Sequence, residues 1–270
     1  ASFNTTDTTT VAPSLNFLKS GNATIGSNTI VATDEILGEI NFFGADGTDF
    51  ESAGARISAA VDTTPGVGDM PGRLMFWTTV DGGEVLTERM RIDALGKVFI
   101  GDTADANITQ GLCINQGAAD NVILSLKSSD VAHVVTGLVE ADTFGECRKV
   151  EATTGGLLIS GYKDGDGAVL GEALKLRGVI DETAADTTKS TAGVGIVQID
   201  AGIEVTNSIG DAGANENLVA VRNNATTRFI LDADGDSHQD VGTAWTNYDD
   251  YDDPKLLTAL SVGVSRPGDP

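Results

Sequence analysis

One nine-residue phrase occurs twice in this chain, and it limits the fold more than any other feature. Arg89-Met90-Arg91-Ile92-Asp93-Ala94-Leu95-Gly96-Lys97 aligns without a gap on Arg228-Phe229-Ile230-Leu231-Asp232-Ala233-Asp234-Gly235-Asp236. The first Arg, the Asp-Ala pair and the Gly are identical, and apolar residues fall at the same two positions. Met90 and Ile92 alternate with Arg89, Arg91 and Asp93, the period-2 pattern of a half-buried strand. Asp93-Ala94-Leu95-Gly96 supplies turn chemistry. The Asp carboxylate can accept from the backbone two residues on, and the Gly can take a positive φ. Val98 and Ile100 then alternate with Lys97, Phe99 and Gly101. The pattern predicts a β-hairpin over Glu88–Ile100 with a dry face and a wet face. A second copy follows at Arg228. Each apolar pair is expected to face inward, with Arg89 and Arg228 on the polar side.

The same residues carry a resemblance. Thr87–Gly101, TERMRIDALGKVFIG, is similar to the end of a repeat common in bacteriophage tail fibres of the marine and environmental type. The stretch before it, from ILGEINFFGADG to FWTTVDGG, resembles the same proteins, as does ADTTKSTAGVG to FILDADGDSHQDVGTAWTNYDDYDD. The likeness covers most of the chain and concentrates in residues 36–101 and 184–253. It implies a virion fibre, built as an intertwined homotrimer, with partners among other virion proteins and a receptor on the host surface.

Composition agrees with a thin architecture. Aromatic residues make up 5% of the 270, while Gly supplies 33. A wide single core is filled by aromatic side chains that each bury roughly 150–250 Å². A chain poor in them suits thin layers, a narrow solenoid, or a core shared among identical chains. Forty acidic against 17 basic residues give a net charge of −23. Such a chain repels phosphates and anionic bilayers, which excludes nucleic acid and anionic membrane surfaces as partners. High negative charge suits an exposed particle surface. No apolar run approaches the roughly 18 residues of a membrane span. ASFNTTDTTT has neither the basic nor the apolar region of a signal peptide, and it lacks an initiator Met, as a processed chain or a fragment would.

The fold class expected is mainly β, in elongated modules of short antiparallel strands and hairpins. Residues 1–14 read as an N-terminal arm, 15–104 as a first β module, 105–240 as a second, and 241–270 as an acidic segment. In that last segment Pro254 opens a short helix placing Leu256, Leu257 and Leu260 on one side. In the first module, strands are expected at Leu15–Leu18, Ile36–Phe43, Arg56–Val61 and Leu74–Thr79, before the hairpin. In the second they fall at Leu112–Asn115, Val122–Leu126, Val131–Val139, Leu157–Tyr162, Ala173–Val179, Gly195–Ile199, Leu218–Arg222 and Arg228–Leu231. Val131–Val139 is nearly continuous in apolar residues, as in a strand buried on both faces. Asp181–Ala192 reads as a surface loop, with a receptor-facing role as the sharper alternative.

No residue is nominated as catalytic, cofactor-binding or metal-binding. Asp232, Asp234 and Asp236 alternate around Gly235, but an EF-hand needs Gly sixth and Glu twelfth. Here Gly235 is fourth and Thr243 twelfth, and the first copy has Leu95 and Lys97 in the corresponding places. Asp164-Gly165-Asp166-Gly167 is a turn before it is a cation site. His133 and His238, with Cys113 and Cys147, show no spacing of a nucleophile–base pair or a zinc site. Two cysteines make no disulfide framework and are expected reduced. Trp77 and Trp245 suit packing better than sugar stacking.

The reading is a structural virion fibre protein at the particle surface, not an enzyme. Two alternatives stay open: a capsid-attached decoration or head-fibre protein, and a tailspike-like polysaccharide depolymerase working with paired carboxylates.

Overall fold

The computed structural model describes residues 14–165, 171–181 and 185–240. Every regular element among them is a β-strand. The chain divides into two compact units, Ala1–Lys175 and Leu176–Pro270. The N-terminal arm up to residue 13, Asp166–Gly167, Thr243, Trp245, the DDYDD run and the expected C-terminal helix lie outside the described residues.

The first unit holds a six-stranded sheet in sequence order. Its strands are β1 (Ile36–Phe43), β2 (Ala53–Val61), β3 (Gly72–Thr79), β4 (Leu86–Ile92), β5 (Val98–Ile100) and β6 (Leu112–Ile114). Neighbours pair antiparallel through β5, and β6 then runs parallel to β5. The first sheet therefore extends past the 104/105 boundary read from the sequence. A three-stranded sheet of β7 (Val122–Lys127), β8 (Thr143–Glu151) and β9 (Gly155–Gly161) follows. The second unit contains the hairpin β10 (Ile203–Val205) and β11 (Ser208–Gly210). It also contains the meander β12 (Asn217–Asn223), β13 (Thr226–Asp232) and β14 (Ser237–Gln239).

Glycine makes the hairpin turns and one strand junction possible. Gly96 closes the β4–β5 turn at φ 81°, and Gly235 closes the β13–β14 turn at φ 85°, as the turn chemistry predicts. Gly101, at φ 73°, lies so close to β6 that a Cβ there would sit 2.1 Å from the Asn115 carbonyl oxygen. Asn115 in turn donates its backbone N–H to Ile100 (2.8 Å) and its side-chain amide to Asp102 (2.9 Å). That contact seats the parallel strand.

A corner of buried charge ties the sheet to its loops. Arg73, its side chain only 11% exposed, reaches Asp34 (2.7 Å), Asp62 (3.4 Å) and the Val61 carbonyl (3.2 Å). Asp62 also accepts the backbone N–H of Ala94 (2.9 Å), so the first hairpin turn is fastened to the end of β2.

Several expected strands are not strands. Leu15–Leu18 is irregular, with Phe17 laid against Gly38 on β1. Val131–Val139 is a turn-rich excursion between β7 and β8. Its carbonyls and amides close locally, Val131 on Ser128 and Leu138 on Val135, and His133 donates its N–H to Ala141. Only His133 of that run is buried, while Val134 is 90% exposed. A nearly continuous apolar run with Gly137 inside it has no alternation to fix a sheet face, so local turns win. Ala173–Val179 and Gly195–Ile199 likewise form no ladder among the described residues. Conversely, β8 reads as polar in sequence, TFGECRKVE, yet is the centre of its sheet. Its buried Glu146 accepts on Oε1 from the Tyr162 hydroxyl, which follows β9. Asp181 and residues 185–192 are irregular, as expected for a loop.

Candidate functional site

The strand registers align six-residue rows across the first sheet. One row is Ile40, Ile57, Phe76, Met90, Ile100 and Ile114. The next row on the same face is Gly38, Ala59, Leu74, Ile92, Val98 and Leu112. None of these twelve residues is charged or polar. Yet this face is open: Ile40 is 43% exposed, Leu74 38%, Ile100 40% and Leu112 54%. Leu15, Phe17 and Leu18 partly roof one end, leaving an apolar groove of 420 Å³ against Leu37, Ile57 and Leu74.

The opposite face, with the more polar sequence, is the covered one. Its central row is Glu39, Ser58, Met75, Arg91, Phe99 and Cys113. Ser58, Met75 and Phe99 are buried to within 2% of full burial. Long side chains of the same face close over them. The Trp77 indole N–H donates to Ser58 Oγ (2.9 Å), and the Lys97 ammonium lies 5.8 Å from the centre of the Phe99 ring. Arg91 grips Glu88 with two N–H groups (2.5 and 2.8 Å), which holds the guanidinium pKa above its ordinary value. Phe99, expected on the wet face, is thus core, and the dry face of Met90 and Ile92 looks outward. The wet and dry assignment is reversed because those long side chains cover the polar face.

The repeated phrase is a repeated structure. Met90, Arg91 and Ile92 pair with Ile100, Phe99 and Val98, and Phe229, Ile230 and Leu231 pair with Gln239, His238 and Ser237 in the same register. Asp93 and Asp232 each receive the Gly N–H on their carbonyl and the Lys97 or Asp236 N–H on Oδ1. The equivalence extends to the preceding strands. Leu74–Phe76 lie against Ile92–Met90 just as Val219–Val221 lie against Leu231–Phe229. Both pairings then break at one place, where Trp77 meets Glu88 and Arg222 meets Thr227. The residue left over by each bulge is the repeated arginine, Arg89 or Arg228. A bulge bends the strand and re-aims the extra side chain. Both arginines are exposed. Arg89 donates to Thr78 Oγ1 (3.0 Å), and Arg228 pairs with Asp240.

The other residues considered for chemistry are occupied by structure. Asp232 accepts from Asp236 and lies 2.7 Å from His238 Nε2, and these contacts hold its carboxyl below the ordinary range, the His238 bond most of all. His133 is buried, its Nε2 2.6 Å from the Thr143 carbonyl and its Nδ1 accepting from the Val135 N–H. Tyr162 donates to Glu146 Oε1 (2.9 Å), with Arg148 Nε 3.4 Å from the same oxygen. This group of His133, Tyr162, Glu146 and Arg148 gave no sequence signal. Cys113 and Cys147 are both free thiols. Burial and the charges of Asp102 and Asp105 push the Cys113 thiol up. Asp164 and Gly165 are irregular. Among the described residues no group of three or more His, Cys, Asp or Glu could hold a metal ion. No helix among them is long and apolar enough to cross a membrane.

What these residues define is an all-β protein whose prominent surface is the apolar face of its first sheet, and whose bulged meander occurs a second time with Ser237 and Gln239 in the places of Val98 and Ile100. Two solved structures of the bacteriophage T5 L-shaped tail fibre are similar to it. Its carboxy-terminal domain matches at 10% identity and a TM-score of 0.36, covering 92% of this chain and 93% of that one. The same domain with its intramolecular chaperone matches at 10% identity and a TM-score of 0.40, covering 92% of this chain and 64% of the other. No protein-family model and no curated protein matches the sequence.

Proposed function

We propose that this chain is a structural component of a bacteriophage tail fibre, working as a homotrimer that takes part in host-surface contact. The observation that carries the reading is the open face of the first sheet. Twelve residues without a charge stand in register on a chain of net charge −23, and several are more than a third exposed. Contiguous apolar surface of this kind marks an interaction site in a soluble protein. Burying each half-exposed Ile, Leu or Phe would add about 1 kcal/mol of stabilisation, which a folded monomer forgoes. The likeness of Thr87–Gly101 and of residues 184–253 to tail-fibre repeats supplies the kind of assembly. The structural role needs no catalytic residue, and none is assigned.

Two measurements test this. Native mass spectrometry of the full chain is expected to give a trimer, and a stable folded monomer would refute the shared core. Electron microscopy of labelled particles is expected to find the chain on the tail. Label on the capsid would replace this reading with that of a head fibre or decoration protein. Release of reducing ends from host polysaccharide would instead indicate a depolymerase.

A further inference from the structure

We infer that the second hairpin, β13–β14, carries an acid-set clamp between Asp232 and His238, where its first copy has a permanent one. The clamp lies within a single chain and is independent of assembly.

The two turns are built alike and held differently. In each, the leading aspartate accepts on Oδ1 the backbone N–H of the fourth residue on, Lys97 or Asp236, at 2.9 Å. That leaves Oδ2. In the first copy Oδ2 of Asp93 faces the Lys97 ammonium at 3.5 Å, and a lysine is a cation throughout the neutral and acid range. In the second copy that position is Asp236, so the charge is reversed. His238, standing where the first copy has Phe99, takes over: its Nε2 lies 2.7 Å from Asp232 Oδ2. The same oxygen is held in both copies, but in the second by a group that titrates near neutral pH.

The surroundings give the sign. The Asp232 side chain is 5% exposed, so salt and water screen this contact less than a surface pair. The turn adds the carboxylates of Asp234 and Asp236. Arg228 and Asp240 line the same 320 Å³ hollow as His238, and they pair with each other. On the far side of β13, Asn217–Val221 of β12 bring no titratable side chain, and Glu216 before them accepts the Ala233 N–H on its backbone carbonyl. The charges about the imidazole are thus mainly carboxylates, one of them buried and in contact with it. A histidine changes charge between about pH 8 and about pH 5. The neutral ring gives Asp232 one N–H, and the protonated ring gives the same N–H with a full charge behind it. The hairpin is therefore held more tightly as pH falls through that window. The gain is lost when Asp232 itself takes a proton, below the ordinary carboxyl range.

Hydrogen–deuterium exchange of the full chain tests this, with the first hairpin as a reference inside the same molecule. Each observed rate is set against the intrinsic rate at that pH, so that only opening of the hairpin is compared. From about pH 8 to about pH 5.5, protection of the β13–β14 amides is expected to rise about threefold, the worth of a partly exposed ion pair. Protection of β4–β5 is expected to stay level. His238→Phe, which brings in the first copy's residue, is expected to abolish the rise. Asp236→Lys, which brings in the first copy's cation, is expected to raise protection already at about pH 8 and to flatten the response. The lysine variant decides the matter if His238→Phe does not fold. Level protection of β13–β14 in the natural chain overturns the inference. So does a rise shared equally by β4–β5, one that survives in His238→Phe, or one of undiminished size in Asp236→Lys.

Discussion

Gly96 and Gly101 show how differently two positive-φ glycines can be constrained. Around Gly96 the nearest neighbour to an added Cβ is Gln110 Nε2 at 3.8 Å, so only the backbone conformation resists substitution. Gly96→Val is expected to cost about 1–3 kcal/mol. Gly101→Ala meets the Asn115 carbonyl as well, and relief would break the Asn115-to-Ile100 bond that seats β6. It should therefore cost more than roughly 3 kcal/mol despite the smaller side chain. Urea denaturation of the two variants checks the order. Acid stability is also set at single residues. Asp186 accepts from Thr188 and from the Val194 N–H, which lowers its pKa from 3.8 to about 2. Asp232, Asp102 and Asp46 are lowered as well, first by His238, by Asn115 and by the Asp49 N–H respectively. A carboxyl more acidic when folded than when unfolded stabilises above its unfolded pKa, and that contribution is lost as pH falls through the folded value. The melting temperature is expected to hold from about pH 7 to about 5 and to fall between about pH 4 and 2, measured by calorimetry.

At the scale of the element, the bulged meander separates two jobs that the sequence pattern runs together. The Asp-Ala-x-Gly turn and the pairing register fix the hairpin, while the bulge moves Arg89 and Arg228 out of the ladder. Arg89 lies at the surface, bonded to the Thr78 hydroxyl, so Arg89→Ala is expected to cost less than about 1 kcal/mol. Ile92→Ala, on the apolar face, is expected to cost about 3 kcal/mol in the assembled protein. Thermal melting of both variants, with oligomeric state read alongside, decides. An unchanged melt for Ile92→Ala would mean that the face is not buried on assembly. Arg73 is a different kind of arginine: largely buried against Asp62, it holds the corner where β2, β3 and the first hairpin turn meet.

For the whole molecule, charge is the chief obstacle to assembly. With −23 on 270 residues, bringing copies together costs electrostatic free energy, which burial of the uncharged face would offset in the proposed oligomer. Salt screens that repulsion, the Debye length shrinking from about 30 Å at 0.01 M to about 8 Å at 0.15 M. Oligomer stability is therefore expected to rise with added salt, followed by sedimentation at fixed protein concentration. A fall with salt would mean that attractive ion pairs, Arg89 and Arg228 among them, dominate the contact.

The fold class and the repeat are legible in the amino-acid sequence alone. Period-2 alternation, turn residues and the duplicated Arg89–Lys97 phrase were enough to place β1–β4, β12, β13 and both hairpin turns, because those signals are local. The sequence did not determine which face is covered, since covering Phe99 and Met75 depends on Trp77 of β3, Arg91 of β4 and Lys97 of the turn before β5 folding over that face. Nor did it find β8, whose buried Glu146 accepts from Tyr162 beyond the next strand, with Arg148 two residues along the same strand. The apolar run at Val131–Val139 predicts a strand, but it turns back on itself through Val131–Ser128 and Leu138–Val135 bonds. Strand identity can be written in a few residues; burial and partnership are properties of the assembled sheet, set by contacts between strands far apart in the chain.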